Sequence, residues 1–338
     1  MTSPTAPLEN ILQNSIENLL AAEKQIQEKD GHKESTDTSL ETFQKDIIAV
    51  AKKLAFECTK ICISFTKPPL PTACETSSML SAVEGTVVCL VAVWYKLPAN
   101  TGITLKEEVR YAVVYAIQST RQLLKIIKDE GGEAVEFKYR QSTGIVWQGC
   151  NKIEKCSENN KAAVLKGLQE QSTMVNDAFT EISEAMEGDG SGWNSLGIDS
   201  EDEEEEEEEK WSNEDKDLIT PAVHLVKAAK ILFKRVMAAV ERGGLCETVS
   251  QVEELDQLYQ DCKQVSAIVD VLILELYPPL NVPNVQDQSQ LLASQIGASL
   301  KTATKSHVTG EEDQPHLEFL QKAVEHNLNS LKEKLSQR

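Results

Sequence analysis

Apolar residues recur every three or four positions along most of the chain, which is the spacing of one face of an α-helix. The clearest stripe comprises Ile219, Ala222, Val226, Ala229, Phe233, Val236 and Val240. We find no convincing run in which apolar and polar residues alternate as they do in a half-buried strand. The pattern therefore predicts an all-α protein.

These stripes and the signals that flank them predict ten helices. Six lie at 8–29, 39–66, 72–96, 104–128, 143–155 and 159–186, and four at 213–242, 247–277, 286–305 and 312–335. Hydroxyl–carboxylate pairs predict capping boxes at Thr38/Glu41, Thr72/Glu75, Thr104/Glu107 and Thr309/Glu312, with a weaker one at Ser212/Asp215. Helices of these lengths with short connections favour antiparallel bundles.

Charge divides the chain into parts. The net charge is -20, but residues 187–217 hold 15 acidic residues against Lys210 and Lys216, which leaves -7 for the remainder. Within this segment, residues 188–210 are rich in Gly and Ser and then acidic without a break from Glu201 to Glu209. Like charges at this density keep a chain extended and solvated. We therefore expect two antiparallel helical bundles, 1–187 and 211–338, joined by a disordered acidic linker at 188–210.

The motifs offer no recognisable catalytic or metal chemistry. The eight Cys residues form no CxxC pair and indicate free thiols in a reducing compartment. None of the five His residues pairs with a second His or a Cys at ligand spacing on one helix. Gly-rich phosphate loops and nucleophile motifs are also missing from the sequence. We expect a protein that binds other proteins, is not an enzyme, and uses no cofactor or metal.

Membranes and nucleic acids are not expected partners. The chain starts with polar residues and lacks the apolar core of a signal peptide. The longest apolar stretch, Val87 to Tyr95, is far shorter than the ~20 residues that a membrane helix needs. A phosphate backbone would be repelled by the acidic segment, and no basic stretch compensates for it. These features predict a soluble intracellular protein.

Two sets of residues are candidates for partner binding and its regulation. The most apolar segment carries the candidate groove residues Val83, Val87, Leu90, Val91 and Trp94. They either share in a groove that takes a partner's helix or simply fill the core. Ser200 and Ser212 each precede an acidic residue by three positions, the pattern that acidophilic kinases use. The alternative for the acidic run is that it is only a solvated spacer.

A series of landmarks resembles one protein family. The landmarks are Pro69-Leu70-Pro71, Tyr95, Leu97-Pro98, Gly102-Ile103-Thr104-Leu105, Val109-Arg110, Asn160-Lys161-Ala162-Ala163, Trp211-Ser212, Glu214-Asp215, Leu218-Ile219, Pro221, Tyr277-Pro278-Pro279 and Lys305-Ser306-His307-Val308-Thr309. In this order they resemble the cyclin-D-binding protein family, also called maternal Id-like or Maid proteins. The series covers most of the chain beyond about residue 40, and no single piece of it is specific.

The resemblance implies a two-bundle helical protein of nucleus and cytoplasm that negatively regulates the cell cycle. Such proteins bind D-type cyclins and thereby reduce cyclin-dependent kinase action on the retinoblastoma protein and the S-phase transcription it controls. They also bind helix-loop-helix transcription factors without contacting DNA. The alternative from the bundle architecture alone is a vinculin-like cytoskeletal or junctional scaffold.

Overall fold

The computed structural model describes residues 6–28, 38–130, 136–187 and 211–337. The described residues form ten α-helices and no β-strand, which confirms the all-α prediction. The helices are α1 (Ala6–Gln27), α2 (Leu40–Thr66), α3 (Ala73–Trp94), α4 (Ile103–Asp129), α5 (Glu136–Glu154), α6 (Asn160–Glu187), α7 (Asn213–Gly243), α8 (Val249–Glu275), α9 (Val282–Lys305) and α10 (Gln314–Ser336). The predicted disordered linker at 188–210 lies outside the described residues.

Helices α1 to α5 form the first of two compact units, which ends at Ala163. Each helix packs mainly against two others, in the cyclic order α1, α4, α5, α2, α3 and back to α1. Their inward stripes meet in one core, to which α2 contributes Leu54, Cys58, Ile61 and Phe65. Because α5 lies between α2 and α4, its position determines which parts of those two helices remain exposed.

Helices α7 to α10 and most of α6 form the second unit, which begins at Val164. The α6 side chains that enter its core are Val164, Leu168, Val175 and Ile182. Polar contacts add to this packing: Ser266 of α8 donates to Gln171 of α6, and the Tyr277 hydroxyl donates to Glu181 at 3.2 Å. Both units are therefore built around five helices.

The compact units divide the chain at a different place from the predicted bundles. The predicted boundary at the acidic segment assigns all of α6 to the first bundle. The contacts instead join α6 from Val164 onward to the second core, because its apolar stripe packs with α7 and α8. Whether the predicted fragments 1–187 and 211–338 fold independently stays a prediction.

The helix starts follow the predicted capping chemistry only in part. Reciprocal capping boxes are present at Thr72/Glu75 and Ser212/Asp215, as predicted. The box predicted at Thr38 is wrong, since Ser39 is the cap of α2. The box predicted at Thr309 is wrong too, because the Thr309 hydroxyl donates to the carbonyl of Ala303 instead. An unpredicted box at α8 uses Gln251 in place of a carboxylate: Thr248 and Gln251 satisfy each other's backbone N–H groups.

The start of α4 is capped by a residue more than fifty positions away. The predicted box at Thr104 is wrong, because Gly102 is the N-cap and makes no side-chain cap bond. The backbone N–H of Leu105 donates instead to Oδ1 of Asn160, over 3.1 Å. Gly102 has φ +97°, and any Cβ there would collide with the Asn160 amide. Gly102 and Asn160, which both belong to the landmarks of the family resemblance, therefore contact each other at the start of α4.

Helix α5 begins seven residues earlier than predicted and approaches α4 closely. Its first two turns escaped prediction because Phe137, Lys138 and Arg140 are exposed and only Tyr139 enters the core, so no apolar stripe is visible. Further along, a Cβ at Gly149 would lie 2.9 Å from the Ala116 Cα of α4. A larger residue would therefore push the two helix backbones apart.

Helix α3 has the length and composition of a membrane-crossing helix. One 18-residue window within Ala73–Trp94 has a mean hydropathy of 1.6. The uninterrupted apolar stretch from Val87 to Tyr95 is shorter than this window and does not reveal it. The helix is nevertheless packed against α1 and α2, and nine of its side chains are buried in the first unit. Its place as a core helix of a bundle accounts for its apolar character.

Replacing Phe233 tests the core of the second unit. The side chain is fully buried in the middle of the α7 stripe. We expect Phe233→Ala to lower the free energy of unfolding of this unit by about 3–5 kcal/mol, because it removes packing and leaves a cavity. Urea unfolding followed by circular dichroism measures the loss, with Phe319→Ala on α10 as the control, since Phe319 is 73% exposed. A loss below about 1 kcal/mol for Phe233→Ala would contradict the burial.

Replacing Asn160 tests the long-range cap of α4. Asn160→Ala leaves the buried N–H of Leu105 without its acceptor, so we expect the first unit to lose about 1–3 kcal/mol of stability. Asn151→Ala, at an exposed position of α5, is the matched control and should change stability by less than about 0.5 kcal/mol. Equal unfolding midpoints for the two variants would show that the cap contributes nothing.

Candidate functional site

The five candidate groove residues lie inside the first unit. Val83, Val87 and Leu90 are fully buried, and Val91 and Trp94 are at least nine-tenths buried. All five belong to the core shared by α1 to α5. A partner could reach them only if the helices separated, so a groove formed by these residues stays a prediction.

A small cleft reaches the edge of this segment at Trp94. It lies among the ends of α1 and α3 and the start of α4, has a volume of about 230 Å³, and is lined in part by Tyr95, Ile103, Lys106 and Arg110. Burial, together with the nearby positive charge of Arg110, lowers the pKa of Lys106. Tyr95, Ile103 and Arg110 are also landmarks of the family resemblance. The cleft therefore borders the predicted segment at Trp94.

A group of exposed apolar side chains lies elsewhere, on α2 and α5. Phe56 and Ile63 of α2 are 62% and 67% exposed, and Trp147 of α5 is 49% exposed. We call this the α2–α5 surface and define it by these three side chains with Thr59 and Lys60. No residue of this surface was among the candidate residues from the sequence.

Helix geometry explains why these residues lie together. Phe56, Lys60 and Ile63 follow four–three spacing on the face of α2 opposite its buried stripe. The two helices run antiparallel, since Lys52 pairs with Glu154 at 3.7 Å while Thr59 contacts Trp147. Thr59 is one turn from both Phe56 and Ile63, so Trp147 lies beside the pair. The spacing of Phe56, Lys60 and Ile63 can be read from the sequence. The position of α5, which brings Trp147 beside them, cannot.

The rings of this surface are held in place by polar contacts. The indole N–H of Trp147 donates to the Thr59 hydroxyl oxygen over 3.0 Å, and that hydroxyl donates to the carbonyl of Ala55 over 2.6 Å. The Lys60 ammonium lies 5.5 Å from the centroid of the Phe56 ring and pairs with Glu57 at 2.7 Å. These contacts restrict the two aromatic side chains before any partner arrives.

The other side of α5 carries a second aromatic group. Tyr111 and Tyr115 of α4 have ring centroids 6.2 Å apart, and the Lys152 ammonium of α5 lies 5.6 and 5.3 Å from them. Tyr111 is largely exposed. Aromatic rings therefore flank α5 on both sides, and each group lies beside a lysine.

The two segments that contribute this surface are basic although the protein is acidic. Residues 40–67 and 136–155, which contain α2 and α5, hold nine Lys or Arg and five Asp or Glu, a net charge of +4. Lys53, Lys67 and Lys155 are exposed and form no ion pair with another described residue. The chain as a whole carries -20. An acidic ligand would thus meet local attraction at this surface.

Of the two candidate phosphorylation sites, Ser200 lies outside the described residues and Ser212 caps α7. The Ser212 hydroxyl oxygen accepts the backbone N–H of Asp215 over 3.0 Å and donates to the Asp215 carboxylate over 2.7 Å. The same carboxylate accepts the backbone N–H of Ser212 over 3.1 Å. Ser212 is exposed, so its hydroxyl is both structurally engaged and accessible.

The thiols of the core are unsuited to nucleophilic chemistry. Burial raises the pKa of Cys58, Cys150 and Cys262 to about 12, so these groups remain protonated at neutral pH. In the ranges that the structure covers, no group of three or more His, Cys, Asp or Glu residues is placed to hold a metal ion.

Comparison with known proteins identifies the family. Residues 46–188 match the family described as "Grap2 and cyclin-D-interacting, N-terminal", and residues 196–301 match its C-terminal counterpart. Cyclin-D1-binding protein 1 homolog of Xenopus laevis is 32% identical over 83% of this chain and 85% of its own length. The Danio rerio homolog is 30% identical over 96% and 94%, and Cyclin-D1-binding protein 1 of Homo sapiens is 28% identical over 97% and 94%. The chain belongs to the cyclin-D-binding protein family.

Proposed function

We propose that this protein is a non-enzymatic regulator that binds a D-type cyclin. The observation that carries the proposal is the match, over most of the chain, to proteins named for binding cyclin D1. The architecture agrees with a binding role, because the first unit exposes a preorganised cluster of apolar side chains on two adjacent helices. Such clusters supply the anchors of protein interfaces.

The consequence of binding is a reduced action of the cyclin-dependent kinase on the retinoblastoma protein. The protein would thereby act as a negative regulator of the cell cycle and of the S-phase transcription that follows. Helix-loop-helix transcription factors are proposed as further partners, in nucleus and cytoplasm. Support for these finer roles comes from the family resemblance and from the net charge of -20, which disfavours direct contact with DNA.

Binding to a purified D-type cyclin tests this function. We expect the full chain to bind the cyclin with a dissociation constant in the micromolar range or below, as measured by isothermal titration calorimetry. Addition of the protein to an active cyclin–kinase complex should slow phosphorylation of a retinoblastoma fragment. Absence of cyclin binding, together with cosedimentation with actin filaments, would favour the alternative of a vinculin-like scaffold.

Phosphorylation is proposed as a control on binding, at Ser200 and Ser212. A phosphate on Ser212 would add charge where the N-terminus of α7 favours an anion. It would also remove the hydrogen bond that Ser212 donates to Asp215 and place two like charges side by side. Modification at Ser212 would therefore exchange the reciprocal capping box with Asp215 for a more negatively charged and less reciprocal arrangement.

The cap itself makes a separate prediction. Ser212→Ala should lower the stability of the second unit by about 1 kcal/mol, because the N–H of Asp215 loses its acceptor. Ser212→Asn is the matched control, since Asn caps helices about as well as Ser does. Thermal unfolding of both variants measures the difference. If the Asn variant unfolds as early as the Ala variant, the hydroxyl does not stabilise α7 in the way that the geometry indicates.

A further inference from the structure

The α2–α5 surface combines three properties of a docking site for a helix. Phe56 and Ile63 are seven residues apart on α2, which separates them by about 10 Å along the helix axis. Trp147 stands beside them on α5. A partner helix with apolar side chains two turns apart has the same repeat, so one face of it can contact all three residues.

Binding at this surface costs little side-chain conformational entropy, because its aromatic rings are already held in position. Trp147 is oriented by its hydrogen bond to Thr59, and Phe56 is flanked by the Lys60 ammonium, which Glu57 holds at 2.7 Å. Side chains that are restrained before association lose less freedom when a partner arrives. This distinguishes the cluster from isolated exposed apolar residues such as Val88 on α3.

The charges around the cluster indicate the chemistry of the occupant. Lys53 and Lys67 lie on α2 and Lys155 follows α5, and none of the three has an ionic partner among the described residues. Their charges are open to carboxylates of a partner. An anionic membrane or a nucleic acid is an extended phosphate surface that would also meet the acidic residues Glu41, Asp46, Glu136 and Glu154 of the two helices, whereas a single helix can confine its carboxylates to the positions that face the lysines.

We propose that the α2–α5 surface is the docking site for an acidic amphipathic helix of the partner protein. The apolar face of that helix would pack on Phe56, Ile63 and Trp147, and its Asp and Glu residues would approach Lys53, Lys67 and Lys155. This assignment rests on the proposed function in one respect, namely that the natural supplier of the helix is the D-type cyclin. It does not require the first unit to open, unlike a groove at Val83 or Trp94.

Variants of exposed residues test the site without disturbing the core. Phe56→Glu with Ile63→Glu places two carboxylates on the surface, and Val88→Glu is the matched control, since Val88 is 64% exposed on another helix of the same unit. Lys53→Glu with Lys67→Glu tests the charges, and Lys96→Glu is its control. Circular dichroism and the unfolding midpoint verify that each full-length variant is folded.

The first probe is a D-type cyclin, and the second is a labelled peptide of about 18 residues with a Leu face and Glu elsewhere. A scrambled peptide of the same composition controls for charge alone. We expect the double Glu variant and the double Lys variant each to weaken binding about tenfold or more, and the controls to stay within about twofold of the wild type. Peptide binding should weaken as the salt concentration rises.

The outcomes separate the two proposals. If the cyclin fails to bind but the peptide binds in preference to its scrambled form and responds to the variants, the docking site stands and the proposed function fails. If the cyclin binds equally to the wild type and the double Glu variant, the docking site is overturned. Equal binding of both peptides also overturns it. The same holds if the full chain binds phosphatidylserine vesicles but neither the cyclin nor the peptide.

Discussion

The close approach of α5 to α4 is the constraint on which the first unit depends. Gly149 brings the two helix backbones so near that a Cβ would meet the Ala116 backbone. This contact fixes α5 between α4 and α2, and so sets which residues of α5 face each neighbour. Trp147 then reaches Thr59, and Lys152 reaches Tyr111 and Tyr115. The exposed aromatic clusters on both sides of α5 are consequences of one backbone contact.

The sequence predicted the helices well because most of them bury a regular stripe, and for the same reason it did not reveal the exposed apolar side chains of the α2–α5 surface. Phe233 and its neighbours on α7 recur with helical spacing and are buried as that spacing implies. By the same logic, the most apolar segment of the chain, around Val87 and Leu90, is a core segment. The exposed apolar residues of the α2–α5 surface are instead interspersed with Lys and Thr, so no continuous apolar segment marks them in the sequence.

Other misses arise from contacts that no local pattern encodes. The cap on α4 comes from Asn160, which a search for capping boxes within four residues cannot find. The early start of α5 is hidden because Tyr139 is its lone large core residue before Val146. The division of α6 between the two units follows from which core its stripe contacts, whereas the acidic segment marks only a change in composition. Each of these depends on residues that are distant in sequence.

The distribution of charge decides how an acidic partner can approach a protein of net charge -20. Residues 187–217 hold -13 of this charge, whereas the two segments containing α2 and α5 hold +4. In physiological salt, charges more than about 8 Å apart are largely screened, so a docked helix responds to the nearby lysines rather than to the total. At low salt screening is weaker, so the net charge of -20 opposes the approach of an acidic partner. The positive local charge therefore stabilises a bound acidic helix, whereas the negative net charge slows its approach.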